Sequence, residues 1–284
     1  MKQIAVISGK GGTGKTSLVA SLAALAKGRA VIADCDVDAP DLHLILRPEI
    51  TEKRVFLGIK RAVIDPSKCT LCGSCEEHCR FGAVCASAID PLLCEGCGVC
   101  KLVCPAEAVS MVDRLSGYAY ISQTRFGPLV HADLFPGEEA SGKLVAMIRE
   151  MAREIAASRK LELVLIDGSP GIGCPVIASL AGVDLALVVT EPTISGEHDL
   201  ERILGVTEHF QTKAAVCINK YDLNPEAALH IEALCLERSV MVAGRLPYHP
   251  SVVEAMVLGR SVVEMGGPVA DAIYEMWRVL EKQL

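Results

Sequence analysis

Ser8-Gly9-Lys10-Gly11-Gly12-Thr13-Gly14-Lys15-Thr16 decides the fold of this 284-residue chain. It follows an apolar run, Gln3 to Ile7, and opens a helical stretch, Ser17 to Lys27. Two glycine patterns overlap in it. Gly9, Gly11 and Gly14 satisfy G-x-G-x-x-G, with Asp34 20 residues beyond Gly14, as a dinucleotide fold requires. Gly9 to Thr16 also satisfies G-x-x-x-x-G-K-[ST]. Lys15 separates the two. A cation at a helix N-terminus faces the positive end of the peptide dipoles and is unfavourable unless an anion neutralises it. A triphosphate does this, and Thr16 can hold its magnesium. The stretch therefore reads as a phosphate loop, with Gly9 to Ser17 as nucleotide-binding residues.

Outward from the loop, apolar runs alternate with helical periodicity. The pattern predicts strands at 2–8, 30–34, 162–167, 184–190, 214–219 and 240–245. Helices are predicted at 15–27, 143–158, 174–181, 197–210, 226–237, 250–258 and 268–283. Six strands interleaved with helices indicate an α/β fold, an open, doubly wound, mostly parallel sheet. A composition 51% hydrophobic but only 4% aromatic suits such a sheet, buried on both faces. Tyr118 to Gln123 and Pro128 to Leu134 predict a hairpin, which the sequence assigns to no particular neighbour.

The alternation breaks after the second strand, where Cys69, Cys72, Cys75 and Cys79 are followed by Cys94, Cys97, Cys100 and Cys104. Both runs have the spacing C-x2-C-x2-C-x3-C, the ligand run of bacterial two-cluster ferredoxins. Ile64 to Val84 and Ile89 to Val109 form an internal repeat, matching also at Asp65/Asp90, Pro66/Pro91 and Gly73/Gly98. Structural zinc prefers ligands in two pairs, and disulfides fit poorly in a chain showing no secretory signal. The fourth cysteine of each run ligates the other cluster. Cys69, Cys72, Cys75 and Cys104 are thus expected to hold one 4Fe-4S cluster, and Cys94, Cys97, Cys100 and Cys79 the other. The expected domains are a discontinuous ATPase unit, 1–60 with 114–284, and an inserted α+β ferredoxin-like unit, 61–113.

With Lys10 one residue after the first glycine, the chain resembles the MinD/ParA family of deviant Walker ATPases, which includes the nitrogenase iron protein. Val31 to Asp36 resembles that family's second strand, Leu163 to Asp167 its Walker B strand, and Gly168 to Gly171 its switch II. Thr190 to Thr193, Asn219-Lys220 and Pro247-Tyr248 resemble later segments. The resemblance implies ATP hydrolysis with Mg2+ and ATP/ADP as ligands. Lys10, Lys15 and Asp36 would be catalytic, with Lys10 reaching the opposite subunit's nucleotide in an ATP-bound homodimer. Asp167 would act on magnesium, and Asn219 and Pro247 would flank adenine. Cys174 matches one ligand position of the nitrogenase iron protein, with no cysteine at that protein's other ligand. Cys35 and Cys217 fall on core strands and read as packing.

A formal net charge of −7 argues against nucleic acid as partner. The last helix carries the stripe Ile273, Met276, Trp277, Leu280 and Leu284 with mixed charges, which reads as core packing rather than a membrane anchor. The absence of a leader or spanning run predicts a cytoplasmic chain. Together these features predict a redox-coupled ATPase in metallocofactor or iron–sulfur maturation, with a client metalloprotein. The alternative is an ATP-gated electron donor to a redox partner.

Overall fold

The computed structural model describes residues 1–138 and 141–284; Glu139 and Ala140, inside the span assigned to the ATPase unit, lie outside the described residues. In chain order the strands are β1 (Lys2–Ser8), β2 (Ala30–Cys35), β3 (Glu49–Leu57), β4 (Arg61–Ile64), β5 (Val84–Cys85), β6 (Ala88–Ile89), β7 (Val109–Val112), β8 (Leu115–Thr124), β9 (Gly127–Leu134), β10 (Leu163–Pro170), β11 (Leu185–Thr190), β12 (Ala214–Asn219) and β13 (Met241–Leu246). The helices are α1 (Lys15–Leu25), α2 (Leu42–Leu46), α3 (Ser74–Glu77), α4 (Val99–Leu102), α5 (Ser141–Arg159), α6 (Cys174–Leu180), α7 (Ile194–His209), α8 (Pro225–Glu237), α9 (Ser251–Leu258), α10 (Val262–Met265) and α11 (Pro268–Glu281).

Nine strands form one sheet in the order β13-β12-β11-β1-β10-β2-β9-β8-β3, and the pairs from β13 through β9 are parallel. The six predicted strands are all in it. The hairpin β8–β9 also joins it, turning through Arg125-Phe126, with β9 beside β2. Between the second strand and the cysteine repeat the sequence reading missed two elements, α2 and β3. β3 is an edge strand whose exposed Glu49, Glu52 and Lys53 hide its strand character while discouraging further pairing at that edge.

Helix α1 lies against one face, its Leu18, Val19, Leu22 and Ala23 buried with Ile4, Ile32 and Leu165 of the sheet. α11 packs there too, burying Ile273, Met276, Trp277 and Leu280, with Leu284 partly buried against the same core. Each such side chain contributes roughly 1.5–3 kcal/mol. The apolar stripe is core packing, as its charge pattern indicated.

Packing divides the chain into two compact units. The larger comprises Met1–Arg54, Ala119–Asp133 and Ser141–Leu284; the smaller comprises Val55–Tyr118 and Leu134–Ala140. The smaller unit thus extends beyond 61–113 on both flanks and recruits a separate segment. That segment is held by Glu138, whose carboxylate accepts from Ser116 Oγ (2.6 Å) and pairs with Arg114 (2.8 Å) at 1% side-chain exposure.

Within the smaller unit the sequence repeat is also a structural one. β4 pairs with β7 and β5 with β6, both antiparallel, so the first strand of each repeat meets the last strand of the other. Asp65 N donates to Ala108 O (2.8 Å) and its counterpart Asp90 N to Ala83 O (2.7 Å). Gly73 and Gly98, both at φ +77°, open α3 and α4. The buried apolar residues of this unit are few and mostly small: Phe56, Ala62, Ala83, Val84, Cys94, Ala108 and Val109, with partly buried Cys79, Cys100 and Cys104 packed among them.

Candidate functional site

The phosphate loop joins β1 to α1 and is braced from behind. Ser8 Oγ donates to the Lys10 carbonyl (2.6 Å), and Asn219 Nδ2 donates to the Thr13 carbonyl (2.8 Å). A side chain at Gly9 would collide with Asp199, and Gly14 caps α1 at φ +90° with Asn219 directly against it. Both positions require glycine. Lys15, the first residue of α1, is only 5% exposed, so the cation sits at the positive helix end without bulk water to screen it.

Beside the loop lies a cavity of about 360 Å³. Gly11, Gly12, Gly14, Lys15, Thr16, Ser17 and Asp36 line it, together with Asp41, Leu44, Ile45 and Met256. Most of the predicted loop residues therefore share one cavity. Gly9, Lys10 and Thr13 belong to the loop but do not line it, Asn219 stands behind the loop as a brace, and Pro247 is not among the lining residues. The apolar wall from α2 and α9 was not legible: five-residue α2 is too short to show periodicity, and Met256 has no motif around it.

Two carboxylates beneath the loop are adjacent in register, Asp167 on β10 and Asp34 on β2. Burial pushes the Asp167 carboxyl up to about 7, with the Lys15 ammonium pulling the other way and Asp36 adding repulsion. Burial, then Asp167, also holds the Asp34 carboxyl well above the ordinary range. Both Asp167 oxygens and one of Asp34 are buried without a hydrogen-bond partner. Such atoms are costly unless something binds them. An Mg2+ shared with a triphosphate fits Asp167 and Thr16, both hard oxygen donors. Burial likewise raises the Asp36 carboxyl, and Lys15 opposes it.

Lys10 does not extend from the loop. Its Nζ lies 3.4 Å from Glu191 Oε2 and within 3.4 Å of both Thr193 Oγ1 and Ser195 Oγ. Glu191 also binds Lys220 Nζ at 2.6 Å.

In the smaller unit the eight repeat cysteines fall into two sets. Cys69, Cys72, Cys75 and Cys104 line a cavity of about 340 Å³. Cys79, Cys94, Cys97 and Cys100 line a second, tighter one of about 20 Å³. Burial raises the Cys75 thiol, with repulsion from Cys104 and Cys69 adding to it; burial raises Cys100, with repulsion from Cys94 and Cys97. Each fourth cysteine thus sits with the other run. Among the described residues, no group of three or more His, Cys, Asp or Glu converges as it would on a single metal ion. Of the other cysteines, Cys35, Cys217 and Cys235 are buried, while Cys85 and Cys174 are exposed. Burial pushes the Cys217 thiol up to about 12, as befits a packing residue. Among the described residues no helix is long and apolar enough to cross a membrane.

Residues 4–262 match the family model of the CobQ/CobB/MinD/ParA nucleotide binding domain. The chain is 40% identical over 225 residues to the uncharacterized protein MJ0578 of Methanocaldococcus jannaschii, covering 78% of this chain and 79% of that one. The cell division ATPase MinD of Pyrococcus furiosus superposes with a TM-score of 0.62 at 18% identity, over 100% of this chain and 99% of that chain. The septum site-determining protein MinD of Pyrococcus horikoshii, complexed with Mg-ADP, gives 0.62 at 17% identity, over 99% and 96%. The braced loop and the parallel sheet that carries it are those of a MinD-like fold, and the chain belongs to the CobQ/CobB/MinD/ParA nucleotide-binding family.

Proposed function

We propose that this chain is an ATP-hydrolysing switch carrying two 4Fe-4S clusters, acting as a redox-coupled ATPase in metallocofactor or iron–sulfur maturation. The observation that carries the reading is the sorting of the eight cysteines into two lined cavities, each with three members from one run and the fourth from the other. That crossing is what a two-cluster ferredoxin requires. A four-iron cubane spreads its thiolates over a whole cluster, so its ligands need not converge on one point as those of a single ion do. The small core of this unit adds a second support. Units of its size seldom fold on such a core without a disulfide or metal staple.

Cys69, Cys72, Cys75 and Cys104 would hold the first cluster and Cys94, Cys97, Cys100 and Cys79 the second. Bound clusters supply one-electron chemistry at potentials set by charge and exposure. In the larger unit, Lys15 and the loop amides would neutralise the β- and γ-phosphates, Thr16 and Asp167 would hold Mg2+, and Asp36 would sit near the attacking water. Lys10 would act on the nucleotide of a second copy, in a deviant Walker A arrangement, so ATP would close a homodimer. The smaller unit, built around the cysteine repeat within residues 61–113, would present the clusters to a client protein.

Anaerobically purified protein should contain about eight irons per chain. Cys79→Ser should damage the cluster made chiefly by Cys94, Cys97 and Cys100, visible by electron paramagnetic resonance. Four irons or fewer in the parent, or loss confined to the Cys69 cluster in the variant, would refute this assignment.

A further inference from the structure

Lys10 needs a position to occupy before nucleotide arrives, and the structure supplies one. Glu191, at the end of β11, is 13% exposed in its side chain and offers one oxygen to each of two lysines. Oε1 takes Lys220 at 2.6 Å; Oε2 takes Lys10 at 3.4 Å. The Lys10 ammonium is further held by Thr193 Oγ1, the N-cap of α7, and by Ser195 Oγ. Lys220 is itself fixed: it sits at φ 55° with its N–H donated to Asn219 Oδ1 (3.0 Å). Asn219 in turn braces the loop at Thr13. One carboxylate therefore ties the start of the phosphate loop to the end of β12.

The two contacts are unequal, and the inequality matters. The shorter bond to Lys220 takes up much of the Glu191 charge. Lys10, still 34% exposed, is left with the longer and weaker share. A partly exposed ion pair of this kind is worth little, which suits a hold that must yield. Triphosphate carries more negative charge than one shared carboxylate, so it can draw the ammonium away.

The geometry points to Glu191 as a positioning residue that holds Lys10 inside its own subunit until nucleotide arrives, with Lys220 weakening that hold. This rests on the reading of Lys10 as the lysine that acts on a second copy's nucleotide. Two substitutions should then act in opposite directions. Glu191→Gln removes the charge that retains Lys10. Lys220→Met leaves the Glu191 charge to Lys10 alone and tightens the hold.

The direct test is amine labelling of nucleotide-free full-length protein, read at the Lys10 peptide by mass spectrometry. Exposed Lys68 serves as internal reference. Glu191→Gln should raise Lys10 labelling about two- to fivefold, and Lys220→Met should lower it by a similar factor. The same variants should lower and raise the Mg-ATP concentration needed for half-maximal dimerisation. Neither change should occur in a Lys10→Ala background. A merely structural role would move both variants the same way. Unchanged labelling, shifts of one sign, or an altered ATP threshold that persists in Lys10→Ala would each overturn the proposal. Lys10→Ala protein that dimerises like the parent would instead remove the reading of Lys10, while labelling still judges the hold itself.

Discussion

Asp167 shows how much of the switch is a matter of single atoms. Both its carboxylate oxygens are buried without partners next to Asp34. The folded chain therefore retains a proton there up to about pH 7, whereas the unfolded chain releases it near 4. Folded-state protonation exceeds unfolded-state protonation across that interval, so stability of the nucleotide-free protein should fall as pH rises from about 4 through 7. The limiting magnitude is on the order of 4 kcal/mol. Asp167→Asn should flatten the slope and raise stability at pH 8 by about 1–3 kcal/mol, measured by urea denaturation without Mg2+, while Mg-dependent nucleotide binding is lost. An unchanged slope would show that Asp167 carries its charge in the folded chain. Lys15, Thr16, Asp36 and Asp167 were legible because each belongs to a motif with a chemical reason: Lys15 at a helix start, Asp167 at a strand end. The part played by Glu191 was not, because its place in the Thr190 to Thr193 segment says nothing of what it touches; only its two lysine partners in space reveal it.

Among the elements, long periodic ones were legible and short ones were not. The six predicted strands and the flanking helices stand within a few residues of their expected limits. Missing were α2, α10 and β3, whose signals are brief or masked by charge. These pieces are fastened by side chains instead. Arg125, at the tip of the β8–β9 hairpin, donates to the Ile45 and Leu46 carbonyls at the end of α2 and to Gly259 after α9. It also pairs with Glu264, which closes a capping box with Ser261 at the start of α10. Burial works to raise the Glu264 carboxyl, but the bonds from Arg125 and Ser261 overcome it and hold the group below its ordinary range. Its contribution is therefore present above the unfolded carboxylate pKa and lost as pH falls through the lower folded value. Glu264→Gln should cost about 1–2 kcal/mol at pH 7. The gap from parent should close below about pH 4, read by thermal melts across pH. A constant gap would mean that shape, not charge, is what Glu264 supplies.

At the scale of the molecule, a nucleotide-binding unit and a cysteine-rich unit share one chain. The repeat with its two cysteine runs was plain in the sequence, since ligand spacing is itself a local pattern. The extent of the smaller unit was not, because Glu138 joins it from more than twenty residues downstream, through a buried carboxylate rather than any motif. We propose that the two units serve one function, with nucleotide state altering the charge or exposure around the clusters. Coupling between two bound states is reciprocal, so any difference in ATP affinity between oxidised and reduced protein must appear as a shifted potential. The most direct measurement is an anaerobic redox titration of the clusters in Asp36→Ala protein with and without Mg-ATP. A coupling of about 1–3 kcal/mol predicts a displacement of roughly 40–130 mV in at least one cluster. Identical potentials, with ATP bound equally by both redox forms, would contradict the account.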